Sequence, residues 1–84
     1  MEDSQSIQVF EQVIRKRKGI PVAEMKAVRL SDNENAAQSA VDRLKKKGVK
    51  LIEVLNFDDG TKTLYTKVLG ANNYYKSVGI IVEK

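Results

Sequence analysis

The chain has 84 residues, 15 Lys and Arg against 11 Asp and Glu, a formal charge of +4, and neither cysteine nor histidine. Those two absences exclude disulfides, thiol nucleophiles, Cys/His zinc centres, imidazole bases and haem ligation. A 42% hydrophobic and 31% charged composition belongs to a folded domain, and no apolar run reaches the ~20 residues of a membrane helix.

The length fits one domain over residues 1–84. The acidic, polar start Met1-Glu2-Asp3-Ser4-Gln5 is unlike a secretory signal, so a cytoplasmic protein is expected. Enzymatic activity is not expected, and neither is a cofactor or a metal. A basic pI near 9.4 points to a polyanionic partner when the cations cluster. Here they do, in Arg15-Lys16-Arg17-Lys18 and in Arg43, Lys45, Lys46, Lys47 and Lys50.

In chain order, Ile7, Phe10 and Ile14 recur at helical spacing, with Val9 and Val13 widening the stripe. This predicts a helix over residues 4–17, capped by Asp3 or Ser4 and stopped at Lys18-Gly19. Residues 21–30 read as a second helix opened by Pro21, with a strand over 25–30 as the alternative. Ser31 and Glu34 form a capping box that predicts a helix over 32–47, burying Ala37, Ala40, Val41 and Leu44 and ending at Gly48. The β-branched runs on either side of Asp58-Asp59-Gly60 predict an antiparallel hairpin. Residues 70–73 read as a turn, and 74–82 as a last strand.

The order of three helices and a hairpin, with Ile20 as a short extended piece, resembles the winged helix-turn-helix superfamily. The likeness covers residues 7–68 and is closest over Val41-Asp42-Arg43-Leu44-Lys45-Lys46-Lys47-Gly48-Val49. It implies an α+β fold of three helices followed by a β-hairpin wing and a C-terminal strand, with residues 70–84 as an extension of the sheet. If 25–30 is a strand, the fold becomes a two-layer α+β sandwich instead.

The resemblance further implies double-stranded DNA as partner, with the third helix in the major groove, and a role in transcription regulation or as a phage or mobile-element accessory factor. Asn35, Gln38 and Ser39 would then face base edges, since Asn and Gln pair with adenine. Arg43, Lys45 and Lys46 would hold phosphates, and Lys62 would be the wing contact. The wing tip itself carries Asp58 and Asp59, which repel phosphate. A homodimer is expected for a useful half-site affinity. The competing expectation is a protein-interaction module whose C-terminal strand adds to a partner's sheet.

Overall fold

The run from Ile7 to Ser31 carries two hydrophobic periods at once, and the structure resolves the conflict in favour of the strand. In the computed structural model, which describes residues 6–70 and 73–82, it forms a long hairpin of β1 (Ile7–Arg17) and β2 (Ile20–Ser31). Then follow α1 (Glu34–Lys47), β3 (Leu51–Asn56), β4 (Thr61–Lys67) and β5 (Tyr74–Ile80). The five strands make one antiparallel sheet in the order β2-β1-β3-β4-β5.

This overturns the winged helix-turn-helix expectation, because there is one helix among the described residues, not three. Residues 7–17 and 21–30, expected as helices, are strands. The physical reasons are local. Ile7, Val9, Val13, Ile14, Ile20, Val22 and Val28 are β-branched and restrict χ1 against a helical turn. Lys18 and Gly19, expected as a helix stop, both have positive φ, 55° and 81°. That pair of values is a type I′ turn, whose twist suits a two-residue hairpin. Pro21, expected to open a helix, lies on an edge strand, where a missing N–H is tolerated. The cap expected at residue 3 or 4 lies outside the described residues.

The helix forms over Glu34–Lys47 and buries Ala37, Ala40, Val41 and Leu44, the four residues its spacing predicts. Its N-cap is Asn33 rather than Ser31: the Asn33 side-chain oxygen accepts from the N–H of Asn35 at 2.7 Å and of Ala36 at 3.3 Å. Ser31 instead ends β2, and its hydroxyl bridges the backbone of Asn33, turning the chain from strand to helix. Gly48, at φ 79°, donates its N–H to the carbonyls of Leu44 and Lys45 and closes the other end.

The core lies between this helix and the middle of the sheet. Ile7, Val9, Ile52 and Tyr65 face the helix stripe, with Val49, Val54 and Tyr74 around them. Two alanines on the stripe let the helix sit close to the strands. Full burial of Val9, Val41 and Ile52 contributes ~1.5–3 kcal/mol each. The expected hairpin is β3–β4, and β5 continues the sheet beyond it.

Candidate nucleic-acid interface

Antiparallel register fixes which ends of the elements meet. β1 pairs with β3 only from Ile7 to Glu11, whereas its pairing with β2 continues to Arg17. The hairpin therefore projects past the sheet as a two-stranded arm, six residues or ~20 Å long at ~3.3 Å per residue. Its tip holds Arg15, Lys16, Arg17 and Lys18.

The helix leads through Gly48, Val49 and Lys50 into the start of β3, so its C-terminus lies at the root of this arm. The Nζ of Lys47 sits 3.8 Å from the Glu11 carboxylate, joining the two elements. Lys45, Lys46, Lys47 and Lys50 thus share one end of the molecule with the arm. The end of β4 comes there too, since the Lys67 N–H bonds the Lys50 carbonyl. The helix C-terminus carries about half a negative charge from its dipole, and the three lysines of its last turn outweigh it.

At the opposite end lie Asp32, Glu34, Asp58 and Asp59. The two aspartates shape the β3–β4 turn. Asp58 accepts from the Ser6 hydroxyl at 2.6 Å, and Asp59 accepts from both the N–H and the hydroxyl of Thr61. The acidic hairpin tip, which would oppose DNA in a wing, points away from the basic end in this fold.

The basic end contains both occupied and unoccupied cations. On the arm, Glu24 takes Arg15 at 3.2 Å and Arg17 at 2.6 Å. Lys16, Lys18, Lys46 and Lys50 have no ion-pair partner among the described residues. Lys45 is half-buried and stands 4.6 Å from the Tyr65 ring centroid and 5.7 Å from that of Tyr74, a cation–π arrangement. The Tyr74 hydroxyl donates to the Val49 carbonyl at 2.6 Å. Burial, and then the charge of Asp42, push the Tyr65 phenol above its ordinary pKa; burial alone raises that of Tyr74.

The seven residues proposed from the sequence do not form one group. Asn35, Gln38, Ser39, Arg43 and Lys46 are exposed along one helix flank, but Gln38 donates to Asp42 at 3.0 Å. Lys45 packs on two rings. Lys62 lies on the far face of the sheet, 3.7 Å from Glu53. The arm residues were visible as a basic run, but Lys18-Gly19, the turn between two β-rich stretches that would have placed them on a hairpin, reads from the sequence as a helix stop.

Among the described residues no three acidic side chains converge as metal ligands, and no helix is long and apolar enough to cross a membrane. No family model, curated protein or solved structure matches the chain.

Proposed function

We propose that the domain binds double-stranded DNA through its basic end, with the β1–β2 arm in the major groove and the lysines of the helix C-terminus on flanking phosphates. The observation that carries this reading is the joint position of the arm and the last turn of α1. Two basic runs that are distant in sequence meet at one end, and the carboxylates of Asp32, Glu34, Asp58 and Asp59 collect at the other. A B-form major groove ~12 Å wide admits a two-stranded β-ribbon. The deep, narrow major groove of A-form RNA does not admit side chains. No aromatic residue lies on the arm between Gln12 and Lys26, so it offers no stacking platform for single strands.

In this mechanism Lys16 and Lys18 supply charge at the tip, while Arg15 and Arg17 are held in place by Glu24. Lys46 and Lys50 contact the backbone about 20 Å behind them. Asn35, Gln38 and Ser39 lie toward the acidic end and play no part.

Fluorescence anisotropy with random-sequence duplex across a salt series tests the reading, because each phosphate contact adds ~0.9 to the log–log slope. The expected result is a slope of several contacts that falls by about one to two in Lys16→Gln/Lys18→Asn and is unchanged in Gln38→Ala. Asparagine at 18 keeps the positive-φ turn position acceptable. Absence of binding at low salt would remove the proposal. Binding indifferent to the arm variant but weakened by Gln38→Ala would return the contact to the helix flank.

A further inference from the structure

The sheet has a second face, opposite α1. A two-layer domain exposes that face to water, so its strands should alternate apolar-in and polar-out. β3 does not alternate. Ile52 and Val54 turn toward the helix, yet Leu51 and Leu55 stand on the other face with Glu53 between them. Phe10 and Leu64 flank Glu53 directly in the neighbouring strands. Met25, Leu30 and Tyr75 extend the patch to both edges, at 38%, 46% and 67% exposure.

Charge is nearly absent from this face, in a chain where 31% of residues are charged. Register puts only Glu53 and Lys62 on it before the arm tip, where Lys16 follows. Those two residues pair with each other, so the patch is neutral.

We infer that this face packs against the same face of a second copy of the chain, as a two-fold sheet-on-sheet dimer. Self-complementarity favours the copy over another occupant. Two molecules of charge +4 repel through their basic ends, but a neutral patch meets itself without that cost, and a two-fold contact needs one surface that fits itself. The Glu53–Lys62 pair can exchange partners across the axis. The size is also right. Five strands at ~4.8 Å and roughly seven residues at ~3.3 Å give a flat footprint of about 550 Å². The accessible area of a corrugated surface exceeds its projection, and each partner of a standard interface buries ~800 Å², so a dimer of that size would use the whole face. The patch ends short of the arm tip, so the dimer and the DNA contact rest on different residues and either can fail alone.

Sedimentation velocity on the intact chain, from low to high micromolar concentration, tests the inference. The expected result is a concentration-dependent dimer whose affinity drops at least ~30-fold in Leu64→Lys and is kept in Val78→Lys. Val78 is equally apolar and 60% exposed, but on the helix side of β5. If Leu64→Lys does not fold by circular dichroism, hydroxyl-radical footprinting of the wild-type chain decides. Phe10, Met25 and Tyr75 should lose reactivity on concentration while Phe57, in the β3–β4 turn, does not. A monomer at every concentration overturns the proposal. So does a dimer that survives a folded Leu64→Lys, or is lost in Val78→Lys, or leaves Phe10, Met25 and Tyr75 reactive.

Discussion

The two halves of β1 each carry a β-branched pair, Ile7 and Val9 at the root and Val13 and Ile14 on the arm, and differ in what covers it. Ile7 and Val9 are 4% and 0% exposed, whereas Ile14, farther along the strand and on the face turned away from the helix, is 59% exposed. The root has β2 on one side, β3 on the other and α1 above it; the arm has β2 alone. Identical residue types therefore carry stability at one end and leave the chain free to carry charge at the other. An apolar residue contributes through what covers it, and coverage here is set both by how far β3 reaches along β1 and by which face the residue takes.

Truncations test that contrast most severely. Ile52→Ala, beneath the helix, should cost ~2–5 kcal/mol in urea denaturation, while Ile14→Ala on the arm should stay within about 0.5 kcal/mol. Comparable losses would mean that the arm folds as part of the core. Next in size is Gly48→Ala at the helix end. An added Cβ would meet only the end of the Lys67 side chain at 4.0 Å, so the cost is that of positive φ alone, about 1 kcal/mol. A similar loss, ~1 kcal/mol, is expected for Asn33→Ala at the N-cap, and Ser31→Ala separates the two roles if it disturbs the strand-to-helix corner instead.

The smallest effect is at high pH. The folded state raises the Tyr65 pKa, so it favours the neutral phenol. The resulting stability is fully present below the ordinary tyrosine value, ~10, and is lost as pH rises through the higher folded value. The urea midpoint of the wild-type chain should fall more steeply than that of Tyr65→Phe as the pH rises from the ordinary tyrosine value through the higher folded one. Equal slopes would show that the Tyr65 environment does not persist in solution.

The helix was legible in the sequence because its spacing, its stop at Gly48 and its small residues agree on one answer. The hairpin around Asp58-Asp59-Gly60 was legible for the same reason. The first thirty residues were not, because Ile7, Phe10 and Ile14 satisfy a helical period while Ile7, Val9 and Val13 satisfy that of a strand. Only partners distant in sequence, such as Val54 opposite Val9, decide between them. The candidate site followed suit: its basic runs could be seen, but the hairpin that carries the first run to the second could not. Lys62 was assigned to DNA by analogy with a wing, and its register places it on the apolar face instead.

Pairing along β1 and β2 slips by one residue between Val9 and Phe10. Below the slip, the numbers of paired residues add to an even total; above it, they add to an odd one. A two-residue loop demands the odd value, while the root of the hairpin pairs with the even one. Val28 is the spare residue that reconciles them. The arm can thus be lengthened or shortened only by changing both strands together, one residue from each, or its tip and its root fall out of step. Val28 is the exception: removing it alone would leave the turn, the corner at Ser31 and the face of every other residue in β2 as they are.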